Sequence, residues 1–239
     1  MNNILLTKKF FNHLKDESLT DQDFLEHFVI PHLGLNNEIL NEQPEELSRF
    51  FGAGLQLKIW QYPNQFAPYL LCLSENYKKI KSYMEIGCRH GGTFILHCEY
   101  LSSLGSVLDR AVAIDIMDIQ GSLIDYCATE NNYEFIKMDS SSDDFIKYID
   151  GKFFDLIFID GDHSYEGVKK DAENTREISN IQVFHDIVNS ACPGVVSYWE
   201  EIKETHKKIY DFYEFKEQYE SVGGSFLGIG VAVRKKWLE

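Results

Sequence analysis

The sequence is short of positive charge. Its 239 residues hold 23 lysines and arginines against 38 aspartates and glutamates, a formal charge of −15, and its pI is about 4.9. Such a surface repels phosphate backbones and anionic lipid, so neither nucleic acid nor a membrane is an expected partner. No apolar run approaches the roughly 20 residues that span a bilayer. The opening MNNILLTKKFFNHLKDE places charges soon after a short apolar start and has no small-residue cleavage site. It therefore reads as no signal peptide, and a cytoplasmic location is expected. Cysteine is sparse and odd in number: Cys72, Cys88, Cys98, Cys127 and Cys192, with no C-x-x-C. That pattern argues against a disulfide framework and a structural zinc site, and for free thiols buried as small hydrophobes. Internal repeats, low-complexity tracts and Gly/Ser-rich linkers are also missing.

What is present is a sizeable core: hydrophobic residues make up 44% of the chain. The length suits one large α/β domain with an added segment, or two small domains. Residues 1–80 read as a helical segment that packs on the sheet or forms a lid. Leu6, Phe10, Phe11 and Leu14 recur at helical spacing. Thr20 is an expected cap for a helix carrying Phe24, Leu25, Phe28 and Val29, which Pro31 and Gly34 interrupt or end. Pro44 suits the first turn of a third helix, Trp60-Gln61-Tyr62-Pro63 a turn, and Phe66, Tyr69, Leu70, Leu73 and Tyr77 another helix.

From residue 81 to 239 the period changes. Short apolar runs predict strands at Tyr83–Ile86, Ala111–Ile116, Tyr133–Met138, Asp155–Asp160 and Gln182–Asp186, then around Phe212–Glu217 and Leu227–Val233. Helical patterns at Thr93–Leu104, Ser122–Glu130, Asp143–Ile149, Tyr165–Ile178 and Val195–Lys208 alternate with them. This alternation predicts an α/β fold with a mainly parallel seven-stranded sheet and helices on both faces. Ligands of such sheets bind beyond the carboxyl ends of the strands. An acid follows or ends nearly every strand there: Glu85, Asp115, Asp139, Asp160 and Asp186.

The first strand runs into Glu85-Ile86-Gly87-Cys88-Arg89-His90-Gly91-Gly92. The dinucleotide pattern G-x-G-x-x-G is not met, because Arg89 stands two after Gly87. A carboxylate at Glu85 suits a cationic ligand, such as an α-amino group or a sulfonium, better than a pyrophosphate. E-x-G-x-x-x-G after a first strand resembles motif I of the class I S-adenosylmethionine-dependent methyltransferases, a Rossmann-like fold. The resemblance implies that Glu85, Gly87 and Gly91 cradle the cofactor. Asp115 would accept hydrogen bonds from the ribose hydroxyls, with Asp118 a nearby competitor. Asp139 and Ser140 would lie by the adenine, although Asp139 also suits a helix cap. Arg89 and His90 read as outside the chemistry.

The most informative stretch is FIDGDHSYEGV, Phe158–Val168, followed by a strand ending His185-Asp186. Two carboxylates from adjacent strands, with imidazoles beside them, make a hard oxygen-rich cation site next to a base. The stretch resembles the metal-dependent O-methyltransferases of the macrocin and mycinamicin sugar type, and the related cephalosporin-hydroxylase-like group, over about residues 60–235. The upstream QYPNQFAPYL and EIGCRHGGTFIL match that group's lead-in. Carried over, Asp160 and Asp186 match the metal carboxylates and His163 the general base. His185 stands where the family often has an acid, which leaves the third protein ligand open. Asp162 reads as a helix cap, and Tyr165, Val168 and Ala172 as a packing stripe.

The function implied is methyl transfer from S-adenosylmethionine to a hydroxyl of a sugar or sugar-bearing metabolite, assisted by Mg²⁺ ahead of Mn²⁺. None of the cysteines is required for it. Two other readings stay open. His163, His185 and a carboxylate could form a 2-His-1-carboxylate iron site for hydroxylation. The chain could also be a cofactor-binding partner subunit without catalysis. The acceptor is not identified by the residues; the N-terminal helices and Ser190–Val196 are where its contacts are expected. Trp60, Tyr62 and Trp199 read as core aromatics before sugar platforms. A homo-oligomer remains open.

Overall fold

A computed structural model describes residues 3–36, 43–118 and 121–238. Parts of the expected N-terminal segment, residues 1–2 and 37–42, lie outside the described residues. The strands are β1 (Ser82–Ile86), β2 (Arg110–Asp115), β3 (Tyr133–Lys137), β4 (Phe154–Ile159), β5 (Ser179–His185), β6 (Tyr210–Phe215) and β7 (Ile229–Arg234). They form one sheet in the order β3-β2-β1-β4-β5-β7-β6. Strands β1 to β5 pair in parallel, and β7 runs antiparallel between β5 and β6. The expected Rossmann-like α/β fold is thus what the chain adopts.

Burial on both faces explains why β4 and the middle of β2 read as nearly unbroken apolar runs. Alternate residues divide between two cores. Tyr83, Ala111, Leu156, Phe158 and Val183 face one side, with the helices Asn3–His13, Pro63–Ser74 and Gly92–Ser103. Met84, Ile86, Val112, Ile157 and Phe184 face the other, with Asp143–Ile149, Tyr165–Arg176 and Pro193–Thr205. Strand order reverses between β1 and β4. A crevice opens there, beyond the carboxyl ends of the strands.

Element ends move from where the sequence put them. Thr20 does not cap the expected helix at its start; it closes the preceding short helix, Asp16–Leu19, and its hydroxyl returns to the carbonyls of Asp16 and Glu17. The cap is Asp21, which accepts from the Phe24 amide at 3.1 Å. Pro31 does not end that helix. A π-helical stretch, Leu25–Val29, precedes it and the chain stays helical to Leu33. The wider turn shifts the carbonyls that the proline ring would otherwise strike. Pro44 caps a short 3₁₀ helix, Glu45–Phe50, and Pro63 opens the helix Pro63–Ser74. Strand β5 begins at Ser179, three residues early, because Ser179 pairs with Phe154 on β4. The helix expected to run to Glu130 stops at Cys127. Among the described residues, no helix is long and apolar enough to cross a membrane.

The N-terminal helices are tied into the sheet by polar contacts as well as packing. Tyr100 donates to the Leu19 carbonyl at 2.9 Å, and Lys8 reaches Glu130 at 2.6 Å. The fully buried amide of Gln65 donates to the carbonyls of Glu217 and Phe226 at 2.8 and 3.2 Å, and accepts from Gly228 N–H at 2.9 Å. Gln65→Ala removes these bonds and leaves buried backbone groups unpaired. It should cost about 2–4 kcal/mol in urea unfolding with an unchanged m-value. A loss below about 0.5 kcal/mol would mean that this helix is not joined to the β6–β7 edge in solution.

Candidate active site

The crevice is a cleft of about 780 Å³, within the range of small-molecule sites. It is lined by the turn after β1, the ends of β2 to β5, and Lys58, Trp60 and Leu227. Glu85, Gly87, Asp115, Asp139, Ser140, Asp160, His163, His185 and Asp186 all border it. Gly91 is set back from the cleft. A side chain there would strike Leu123 at 2.7 Å, and its φ is +80°, so it serves the turn into Gly92–Ser103. Gly87, with φ +83°, lies against the next turn; a Cβ would meet the Asp160 carbonyl oxygen at 2.0 Å. Glycine alone permits both that conformation and that approach.

At the first strand end, Glu85 is only 2% exposed. Tyr83 donates its hydroxyl to Glu85 Oε2. Burial pushes the Glu85 carboxyl well above the usual range, against the pull of Tyr83, and Asp160 and Asp115 push it further. A cationic group arriving in the cleft would draw it back down. Asp115 is anchored: Oδ2 accepts from Arg89 N–H at 2.7 Å and Oδ1 from Met117 N–H at 2.8 Å. Each oxygen keeps a lone pair for a ligand hydroxyl. Asp118 turns outward and pairs with Lys137 at 2.7 Å, so it does not compete. Asp139 accepts from Ser141 N–H at 2.8 Å. It does not cap the next helix; Ser142 does, accepting from Phe145 N–H at 3.2 Å. Asp162 likewise accepts from Ser164 N–H, and Ser164 is the cap.

Beyond β4 and β5 the ionisable groups interlock. Asp160 Oδ1 accepts from His185 Nδ1 at 3.0 Å and from His163 Nε2 at 3.3 Å. Burial would raise the Asp160 carboxyl, but the two imidazoles outweigh it and hold it down at about 2. The hydrogen bond to Asp160, then that to Cys192, pushes His163 up to about 11. His185 is pushed down by burial but held above its ordinary value by Asp160 and Asp186. Asp186 is 3% exposed; its Oδ1 accepts from Asn189 Nδ2 at 2.8 Å. The chemistry of Asp160, His185 and Asp186 suits a hard divalent cation. His185 Nδ1 lies 3.0 Å from Asp160 Oδ1 and 3.5 Å from Asp186 Oδ2. Adjacent ligands of an octahedral ion stand about 3 Å apart.

Comparison with known proteins bears on the fold that carries this arrangement. Residues 84–187 match a family model described as a methyltransferase domain. The Rossmann-like fold is shared with solved methyltransferases. An O-methyltransferase from Bacillus cereus, solved with S-adenosylhomocysteine, superposes with a TM-score of 0.51 and 16% identity, over 75% of this chain and 84% of that one. TomG from Streptomyces achromogenes, an O-methyltransferase of tomaymycin synthesis solved with S-adenosylmethionine, gives 0.52 and 15%, over 82% and 92%. MycE of the mycinamycin pathway, solved with Mg and S-adenosylhomocysteine, gives 0.50 and 15%, over 81% and 55%. At these identities the likeness is one of fold. Comparison with curated proteins gives no match.

Two side chains of the cleft escaped the sequence reading. Cys192, read as inert, sits 3.1 Å from His163 Nδ1 and 3.3 Å from Asp186 Oδ2. Its segment, Ser190–Val196, was expected to meet the acceptor, but nothing in that segment marked the thiol itself. Asp171 lies among the packing stripe of Tyr165–Arg176, 2% exposed, and its Oδ2 has no hydrogen-bond partner. Burial pushes its carboxyl up to about 6; Ser140 and Lys170 oppose, while Asp162 and Asp139 add to the rise. An acid on an apolar helix face was its signal. Of the loose aromatics, Tyr62 and Trp199 are buried. Trp60 borders the cleft with the Arg89 guanidinium 4.4 Å from its ring centre.

The Asp171 carboxyl has a pH signature. Folding raises its pKa, so at acid pH folded and unfolded chains both hold the proton and no cost arises. As pH rises from about 3.8 through about 6 the folded state binds more protons than the unfolded one, and stability is lost. About two pKa units correspond to a loss on the order of 3 kcal/mol. Asp171→Asn has no such charge. Its stability relative to wild type should therefore rise by that order between about pH 3.5 and 8, read from urea midpoints. A difference independent of pH would show that Asp171 is solvated or paired.

Proposed function

We propose that this protein is an S-adenosylmethionine-dependent O-methyltransferase, assisted by a divalent cation, that acts on a hydroxyl of a sugar or sugar-bearing metabolite. The observation that carries the reading is a single cleft with two chemistries. Carboxylates suited to a cationic, ribose-bearing cofactor line one half. A carboxylate–imidazole cluster suited to a metal and a base lines the other. The iron-hydroxylase reading is weaker, because His163 and His185 fall in different candidate ligand sets. The sugar acceptor rests on the FIDGDHSYEGV…HD resemblance, with Trp60 as the aromatic surface available to it.

The cofactor supplies an electrophilic methyl group, and a divalent cation lowers the cost of forming an oxygen anion beside it. The rest falls to the protein. Glu85 meets positive charge at the amino-acid end of the cofactor. Asp115, fixed by two backbone amides, accepts from the ribose. Asp139 and Ser140 border the purine. Asp160, Asp186 and His185 hold the cation. Once the carboxylates beside it are neutralised, His163 accepts the acceptor's hydroxyl proton at Nε2, while Nδ1 stays engaged with Cys192. Holding the acceptor in line with the methyl group is worth up to roughly 7–11 kcal/mol.

Calorimetry with S-adenosylhomocysteine should detect binding, weakened by about 1.5–3 kcal/mol in Asp115→Ala. Unchanged affinity in that variant removes Asp115 from the site; no binding to wild type removes the whole reading. In acceptor assays, chelation should abolish turnover and Mg²⁺ or Mn²⁺ restore it. His163→Ala should lower turnover about 10²–10⁴-fold with cofactor affinity little changed. Near-normal turnover would make His163 a structural residue.

A further inference from the structure

We propose that His163, Cys192 and Asp186 form a second cation site, selective for a thiophilic divalent ion such as Zn²⁺. Their ligand atoms outline one face of a tetrahedron. Cys192 Sγ lies 3.1 Å from His163 Nδ1 and 3.3 Å from Asp186 Oδ2, and His163 Nδ1 lies 3.4 Å from Asp186 Oδ2. Tetrahedral zinc, with bonds of about 2.3 Å to sulfur and 2.0–2.2 Å to nitrogen and oxygen, sets its ligands about 3.3–3.6 Å apart. The triangle needs to open by only a few tenths of an ångström.

The outer contacts are the second, independent support. A metal-bound histidine ordinarily donates its other ring nitrogen to a carboxylate, and a ligating carboxylate is itself hydrogen-bonded. His163 Nε2 faces Asp160 Oδ1 at 3.3 Å, and Asp186 Oδ1 accepts from Asn189 Nδ2 at 2.8 Å. In the neighbouring set of Asp160, His185 and Asp186 the carboxylates are hydrogen-bonded but the histidine lacks this backing. When His185 turns Nδ1 to a metal, its Nε2 is buried with no partner. Sulfur also separates the two sets by chemistry. Thiolate selects soft and borderline ions, whereas the oxygen-richer set favours Mg²⁺.

Seating the ion displaces the Cys192 thiol proton and the His163 Nδ1 proton to solvent, and lone pairs on sulfur and nitrogen take their place at the metal. Asp186 Oδ2 belongs to both sets, so the two cannot be filled independently. An ion at Cys192 also fixes His163. The site therefore competes with the metal and base of the proposed methyl transfer, although its existence does not depend on that reading.

The test uses the metal-stripped full chain and Co²⁺ as a spectroscopic stand-in for Zn²⁺. Titration should produce a near-ultraviolet sulfur-to-cobalt charge-transfer band, abolished in Cys192→Ser. Zn²⁺ affinity, read by competition with a chromophoric chelator, should fall at least about 100-fold in Cys192→Ser and about 10–100-fold in Asp160→Asn, the range for a lost outer-shell partner. Should Cys192→Ser not fold, X-ray absorption on the zinc-loaded wild type decides alone, and one sulfur in the first shell is expected. A wild type without the band, a band that persists in folded Cys192→Ser, or a zinc shell without sulfur would each overturn the proposal. Loss of cofactor binding with the cobalt band intact would instead strike only the methyl-transfer reading.

Discussion

Crowded negative charge is the constraint around which the cleft is built. Glu85 is the last residue but one of β1, Asp115 the last of β2, and Asp160 and Asp186 follow directly on β4 and β5; these four strands are neighbours, and all four acids border one cavity. Like charges about 4 Å apart repel by roughly 4 kcal/mol near a protein surface, so each carboxylate needs an answer. Backbone amides answer Asp115, imidazoles Asp160, an amide and a thiol Asp186, and a phenol Glu85. Asp171 receives none at Oδ2. Cationic ligands would complete the balance, which is why the proposed sulfonium cofactor and metal suit the same cleft.

The N-terminal helices take part in that balance from a distance. Burial drives the His97 imidazole down to about 3, so it is neutral. Its Nδ1 faces the Thr93 carbonyl at 2.9 Å, so that nitrogen carries the proton. Nε2 must then accept, and the Tyr69 hydroxyl at 2.7 Å is its donor. Tyr83, 2.9 Å from Nδ1, is left free to donate to Glu85. Every proton in the chain from Tyr69 to Glu85 thus has a direction. Tyr69 belongs to the helix Pro63–Ser74, so that helix orients a carboxylate of the cleft as well as covering the sheet.

The ends of the first five strands were legible because an acid or a glycine stands at or within two residues of each, a local signal. Helix ends were less so. Ser142 and Ser164 won the caps from Asp139 and Asp162, which lie three and two residues earlier and bind the turn instead. Thr20 lost to Asp21 by one residue. In the cleft, FIDGDHSYEGV exposed its members because they are close in sequence. Cys192 was invisible for the opposite reason: it meets His163 across 29 residues, through a loop whose composition says nothing. Asp171 was hidden by its neighbours, since Val168 and Ala172 make its helix face look like ordinary packing.

His185 and Asp186 show how a backbone detail makes the cluster possible. In an extended strand, adjacent side chains point to opposite faces of the sheet, so neighbours in sequence cannot share a site. Here His185 Nδ1 and Asp186 Oδ2 lie 3.5 Å apart. Strand β5 ends at His185, and Asp186 takes a φ of +63°. That left-handed turn costs a non-glycine residue about 1–2 kcal/mol, though aspartate tolerates it better than most. It swings the Asp186 carboxyl back over the strand end. The Asn189 amide and the Cys192 thiol then hold the carboxyl from the loop side. A carboxylate on regular β structure would have faced away from Asp160, and neither ligand set would exist. The strain at one residue is what brings the ends of β4 and β5 to a common point.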